Sequence, residues 1–252
     1  MLIDSHAHIL YDNLDANQIV KNMKQDNLEK IVTIGTNALN SQKALDFASK
    51  NRDIYCAVGI HPEYASEVSQ SDLDLIDKLA GGEKVVAIGE IGLDYHENSE
   101  NKERQKEVFI KQLEIAIKHD LPVCIHTRDA AWDTYWILKE YSKKLRPSVM
   151  HCFSENAEFA KLFLNLGFYI SFSGNITFKK SDRSFLKDIP IDKILVETDC
   201  PFLSPEPLRG RVNEPKNVAY TAQRIADEIC MDFEKFCEHT VENTKNVYTK
   251  LR

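Results

Sequence analysis

Short runs of Val, Ile and Leu recur along the chain, separated by longer stretches whose apolar residues return every three or four positions. The runs fall at 2–8, 30–35, 54–60, 85–90, 122–126, 148–151, 168–173 and 194–199. Each is bounded by polar turns and too short for a typical helix, so each predicts a buried strand. Helical spacing covers 14–27, 38–51, 73–79, 102–119, 130–141, 157–166, 217–230 and 233–248. Within 102–119, Val108, Phe109, Leu113, Ala116 and Ile117 form one stripe, and Lys106, Lys111 and Lys118 lie off it. Strands that alternate with helices join by right-handed crossovers into a parallel sheet. Eight such strands can close and leave no edge, which predicts an α/β fold, a single TIM-type (β/α)8 barrel spanning residues 1–252. The rival, an open doubly wound sheet, would gather ligands at one switch point and not around a rim.

Composition narrows the picture without changing it. At 252 residues and 43% hydrophobic, the chain can bury one large core, and no linker or repeat divides it. No apolar run approaches the roughly 20 residues that span a bilayer. Asp4 and His6 interrupt the first run, so no signal peptide is expected and the protein is expected to be cytoplasmic. The six cysteines form no CxxC pair and read as reduced, packing thiols, with Cys200 the one expected near a site. A net charge of -7 argues against a general electrostatic grip on nucleic acid. It leaves room for a phosphate substrate, because bound dications create a local positive field that side-chain counts miss.

The chemistry lies at the ends of the strands. His6 and His8 close the first run, Glu90 the fourth, His126 the fifth, His151 the sixth and Asp199 the eighth. A lone His-x-His is usually structural, and so is a single histidine beside a strand. Ligand-type residues at the carboxyl end of strand after strand are instead how a barrel builds an active site. Four imidazoles and two carboxylates converging there suit two divalent cations, with Glu90 able to bridge them through its two oxygens. A carboxylate ending an otherwise apolar run is costly unless a cation or hydrogen bonds compensate it. Asp4, on the same face one layer below His6, is expected to orient an imidazole, and Glu197 is expected to support the site from beneath Asp199. His61, Arg128 and Arg209 are candidate substrate contacts, the arginines because their planar forks match phosphate oxygens. His119 and His239 read as surface or packing residues, and the role of His96 is open.

These residues carry a family resemblance. The matching segments are Asp4-Ser5-His6-Ala7-His8, Gly59-Ile60-His61-Pro62, and Ile88-Gly89-Glu90-Ile91-Gly92-Leu93-Asp94-Tyr95. They continue with Pro122-Val123-Cys124-Ile125-His126-Thr127-Arg128, His151-Cys152-Phe153-Ser154, Glu197-Thr198-Asp199-Cys200-Pro201-Phe202-Leu203, Arg209-Gly210 and Asn213-Glu214-Pro215. Together they run end to end, and the chain resembles the TatD family of metal-dependent hydrolases, within the wider amidohydrolase-like barrel group. The resemblance implies a two-metal hydrolase and deoxyribonuclease activity, exonucleolytic in at least some members. It implies one metal at His6, His8, Glu90 and Asp199, and another at Glu90, His126 and His151. Two positions depart from the family pattern: Glu155 stands where glycine is common after His-Cys-Phe-Ser, and Glu63 where a second histidine often follows His-Pro. Both place acid where a phosphodiester would approach.

The expected function is therefore phosphodiester hydrolysis of DNA, at a single strand or a 3' end, with Asp199 as general base and Glu90 as the shared carboxylate. The metals are Mg, Mn or Zn: histidines favour Zn or Mn, and the family's nuclease activity is usually linked to Mg. A metal-dependent esterase or amidohydrolase, acting on an aminoacyl-tRNA ester or a cyclic amide, is the first alternative, kept open by the acidic rim. A non-catalytic metal-binding protein is the second. No membrane or protein partner is expected.

Overall fold

The computed structural model describes residues 1–96 and 100–252. Its strands are β1 (Leu2–Ala7), β2 (Leu28–Ile34), β3 (Ile54–Val58), β4 (Val85–Asp94), β5 (Val123–Arg128), β6 (Val149–Met150), β7 (Tyr169–Phe172) and β8 (Ile194–Val196). They form one sheet in chain order, every adjacent pair parallel. The seam between β8 and β1 is joined largely beyond the strand ends. The Asp199 N–H donates to the His6 carbonyl at 3.0 Å, and the His8 N–H to the Cys200 carbonyl at 2.8 Å. Deeper in the seam the Ser5 hydroxyl donates to the Val196 carbonyl at 2.9 Å. Asp4 accepts the N–H and the hydroxyl of Thr198, which buries its carboxylate with partners.

Helices α1 (Ala16–Asn22), α2 (Ala38–Lys50), α3 (Gln70–Ala80), α4 (Lys102–Lys118), α5 (Ala131–Tyr141), α6 (Ala157–Asn165), α7 (Val218–Glu228) and α8 (Phe233–Val247) complete the fold. Side-chain caps fix several starts: Ser69 and Asp72 form a reciprocal capping box that begins α3 before its apolar stripe. Between β7 and β8 the described chain forms only short 3-10 turns, and α7 and α8 both follow β8. Two apolar layers result. One lies between the sheet and the helices. The other draws Ile3, Val32, Ala57, Val86, Val149 and Leu195 from six strands into the barrel interior, where Val247, Tyr248 and Leu251 join them from the C-terminus. No described helix is long and apolar enough to cross a membrane.

Two elements differ from the sequence expectation in ways that matter for the site. β4 does not end at Glu90 but continues to Asp94, with a register irregularity between Ile88 and Ile91. The close approach of β5 requires this stretch to carry glycine. A Cβ on Gly89 would lie 2.5 Å from that of Cys124, and one on Gly92, at φ +144, would lie 1.9 Å from the His126 carbonyl oxygen. In β1 the register shifts between Asp4 and Ala7. Strict alternation from the interior Ile3 would aim His6 outward; the irregularity resets the phase. Asp4 consequently faces Thr198 and the backbone N–H of His6, so the expectation that it orients an imidazole is corrected.

Candidate metal centre

His6, His8, Glu90, His126, His151 and Asp199 come together at the carboxyl end of the barrel. Five of them, with His61, line one cleft of about 570 Å³; His6 lies fully buried beneath it. Asp199 sits just past β8 at φ +54, a conformation that aspartate tolerates better than most side chains. Its N–H is bonded to the His6 carbonyl, which ties the last strand's acid to the first strand's histidines.

Around His6 and His8 the spacings are nearly uniform. His6 Nε2 lies 3.3 Å from His8 Nε2, 3.4 Å from Glu90 Oε2 and 3.6 Å from Asp199 Oδ1. His8 Nε2 lies 3.4 Å from the same Asp199 oxygen and 3.7 Å from the same Glu90 oxygen. Ligands at about 2.1 Å from a tetrahedral ion are about 3.4 Å apart. Five of the six spacings among these four atoms are therefore close to the edges of one coordination tetrahedron. The second Glu90 oxygen, Oε1, lies 2.7 Å from His151 Nε2 and 2.9 Å from His126 Nδ1, and those nitrogens are 3.3 Å apart. Adjacent ligands of an octahedral ion are about 2.9 Å apart, within that range.

The outer nitrogens show which way the imidazoles are wired. Asp94 Oδ2 lies 2.9 Å from His126 Nε2, and Glu197 Oε1 lies 3.2 Å from His151 Nδ1. Ionised carboxylates only accept, so each takes the ring's N–H and leaves the inner nitrogen as a lone pair. That lone pair faces Glu90 Oε1, itself an acceptor. Either each ring takes up a second proton or a cation lies between them. The titration behaviour of the metal-free site follows from the same arrangement. Burial alone would push His151 and His126 down, but the Glu90 charge and the bonds to Glu197 and Asp94 reverse this and hold both up. Burial would likewise raise Glu90 and Asp199; the imidazoles, His151 chief among them at Glu90 and His8 at Asp199, hold both carboxyls low. His6 is pushed down, chiefly by burial. Its outer nitrogen meets Cys124 Sγ at 3.3 Å, whereas that of His8 is buried without a partner among the described residues. The donor set and spacing fit divalent cations.

The supporting acids are themselves fixed. Glu197 accepts the Cys152 N–H at 2.7 Å and the Ser171 hydroxyl, as its expected supporting role requires. Asp94 was not singled out from the sequence, because its role depends on β4 running past Glu90. It lies two residues beyond Gly92, which pairs with His126, and therefore faces the same way. The Gln105 amide clamps its backbone on both sides, and its other oxygen accepts the His96 N–H. Asp94→Ala is expected to weaken metal binding by about 10- to 100-fold, measured by calorimetric titration of the stripped protein. Unchanged affinity would show that the His126 tautomer is set elsewhere.

Among the candidate substrate contacts, His61 and Arg128 line the cleft. Burial pushes His61 down to about 3. Arg209 is not among the lining residues: its guanidinium stacks 4.0 Å over the Phe178 ring. Glu63 is at the rim, 62% exposed, whereas Glu155 is not among the lining residues, and burial raises its pKa. His96 meets Asp129 at 3.0 Å on the surface, and His119 pairs with Asp77 at 2.8 Å. Cys152, Tyr11 and Phe202 also border the cleft; the last two pack edge-to-face on His8. Their aromatic character beside a ligand was the one available sequence signal.

Relatives match this arrangement along the whole chain. A family model described as TatD related DNase covers residues 3–249. The metal-dependent hydrolase YabD of Bacillus subtilis is 41% identical over 252 residues, covering 98% of this chain and 99% of its own. The 3'-5' ssDNA/RNA exonuclease TatD of Erwinia tasmaniensis is 35% identical over 221 residues, covering 84% of this chain and 85% of its own. YjjV, a TatD homologue from Escherichia coli, has a crystal structure that matches with a TM-score of 0.93 at 27% identity, over 98% of both chains. With an end-to-end family match and relatives of equal length, the chain belongs to the TatD-related DNase family of metal-dependent hydrolases.

Proposed function

We propose that the chain removes nucleotides from the 3' end of single-stranded DNA, using two divalent cations held in the cleft. His6, His8, Glu90 and Asp199 would hold one, and Glu90, His126 and His151 would hold the other. The reading rests chiefly on the ligand-like spacings of 3.3 to 3.4 Å around His6 and His8, beside two imidazoles whose lone pairs face a carboxylate. The relative named as a 3'-5' ssDNA/RNA exonuclease supports the polarity and the single strand. Cations held there would supply Lewis-acid chemistry, polarising a phosphoryl oxygen and making water a better nucleophile near neutral pH. Imidazole-rich spacing of about 3.4 Å favours Zn or Mn over Mg at the His6 side.

The chain's own residues bind, orient and move the proton. Asp199 accepts the proton of the attacking water, because its side chain is the more exposed of the two acids, at 13% against 5% for Glu90. Arg128, at the end of β5, offers a planar fork to a phosphate oxygen. Phe202 and Tyr11 give a sequence-tolerant face on which a base can stack. Arg209 would meet only a strand long enough to pass over Leu203, which borders both the cleft and the Arg209 depression.

A carboxylic ester or amide substrate is the second reading, favoured by Glu63 at the rim and by the net charge of -7. The experiment uses metal-stripped protein and 5'-labelled single-stranded DNA, with Mg, Mn or Zn added in turn. Stepwise shortening from the 3' end with at least one metal is expected. No shortening despite two bound metals per chain would remove the nuclease reading, and the same protein would then be assayed on carboxylic esters and amides.

A further inference from the structure

Three imidazoles stand within 3.6 Å of Glu90 Oε1: His126, His151 and His61. Distance alone groups His61 with Glu90 and His126 as possible ligands of one ion. The wiring of the ring says otherwise. His61 caps the 3-10 turn Pro62–Glu67, and its Nδ1 accepts the backbone N–H of Glu63 at 3.2 Å. A backbone N–H can only donate, so Nδ1 must present its lone pair. In the neutral ring the proton is then on Nε2, the nitrogen that faces the cleft. His126 and His151 are wired the opposite way, with N–H outward to carboxylates and lone pairs inward. To bind a cation through Nε2, His61 would have to break its cap or give up both ring protons.

We propose that His61 is a fixed N–H donor that binds an anionic oxygen of the substrate, and not a metal ligand. This rests on the reading of the cleft as a phosphodiester site. Its Nε2 lies 3.6 Å from Glu90 Oε1, beyond a hydrogen bond, so the N–H is left for a group entering the cleft. The ring stands edge-on to His126, with centroids 4.6 Å apart, which holds the donor beside the inner lone pair of that histidine. The wall of the cleft thus offers two acceptor nitrogens for cations and one donor for the oxygen those cations polarise. Such a donor strengthens its bond as negative charge builds on that oxygen, and so contributes to turnover as well as binding.

The test separates capping from donation. His61→Asn retains a side-chain acceptor for the Glu63 N–H, since asparagine is a favoured N-cap, but has no donor at the reach of Nε2. His61→Ala loses both. Metal content, melting temperature and affinity for inorganic phosphate are measured on the Mn-loaded wild type and both variants, with kcat and KM on the DNA substrate. The Asn variant is expected to keep wild-type metal content and melting temperature while phosphate affinity falls by about 10- to 100-fold. Its kcat/KM should fall by a similar factor, and the Ala variant should in addition melt lower. Loss of a metal ion from the Asn variant would make His61 a ligand and overturn the proposal. Equal phosphate affinity in wild type and Asn variant would overturn it as well. If the wild type cleaves no DNA, the proposed function fails separately, and the phosphate titration still reads the donor.

Discussion

Glu90→Ala is expected to reduce turnover by about 10³-fold or more and to leave the stripped protein unable to take up a full metal complement. Glu90 presents one oxygen to each group: Oε2 lies near His6 and His8, and Oε1 near His126 and His151. Removing it opens both sets at once, whereas the loss of a single histidine would open one. Metal analysis of the purified variant checks the uptake, and the DNA assay checks the turnover. A variant that binds two metals and retains most of its rate would show that Glu90 is dispensable and that the site is organised differently.

The same change should alter how stability responds to pH in the metal-free protein. Burial works against the Glu90 charge, but His151 and the bonds from the imidazoles win, so its folded pKa lies below the ordinary 4.5. His151 moves the opposite way: the Glu90 charge and the Glu197 bond overcome its burial, and its pKa lies well above 6.5. A carboxyl held low stabilises the fold above its unfolded pKa, and the effect is lost as pH falls through the folded value. An imidazole held high stabilises it below its unfolded pKa, and the effect is lost as pH rises through the folded value. Both contributions are complete only between pH 4.5 and 6.5, so chelated wild type should be most stable in that window. In Glu90→Ala the buried imidazolium keeps Glu197 but has lost the nearer of its two carboxylates, at a cost of up to about 3–5 kcal/mol within the window. At higher pH the ring can deprotonate and the cost shrinks. The metal-loaded wild type should behave differently, since its ligands must be deprotonated and binding strengthens as pH rises. A stability profile of chelated Glu90→Ala parallel to wild type would mean that the Glu90–His151 pair contributes nothing.

The candidate ligands were legible because a polar residue at the end of an apolar strand has few other reasons to be there. His6, His126, His151 and Asp199 each follow a run that periodicity alone identifies, and their convergence follows from strand order. What escaped the sequence depends on departures from ideal strand geometry. Asp94 became a partner of His126 only because β4 passes through Gly89 and Gly92 without stopping at Glu90. Asp4 was assigned the wrong partner because the irregularity in β1 breaks the alternation on which the assignment rested. Arg209 lies outside the cleft because its guanidinium finds the face of Phe178, a contact between distant loops that no local pattern encodes. The tautomer of His61 was equally hidden, since it depends on which neighbouring backbone group donates to the ring.

Asp199→Asn should lower kcat by about 10²- to 10⁴-fold with metal still bound, the range over which a positioned base acts. Asparagine is the informative substitution here. It tolerates the left-handed φ of +54 that residue 199 adopts, where alanine would add backbone strain to the chemical change. It also keeps a neutral oxygen near the position of Oδ1, 3.4 Å from His8 Nε2, so the ligand spacing is largely preserved. What is lost is the charge and the ability to take up a proton. Glu90 cannot substitute for it, because both of its oxygens are turned toward imidazoles and its side chain is only 5% exposed. Neither Asp94 nor Glu197 can do so, since each is committed to the outer nitrogen of a histidine. Steady-state assays on DNA, with metal content measured on the same sample, separate the outcomes. A loaded variant with a near-normal rate would remove Asp199 as the base, and one that loses metal in step with rate would reduce its role to that of a ligand.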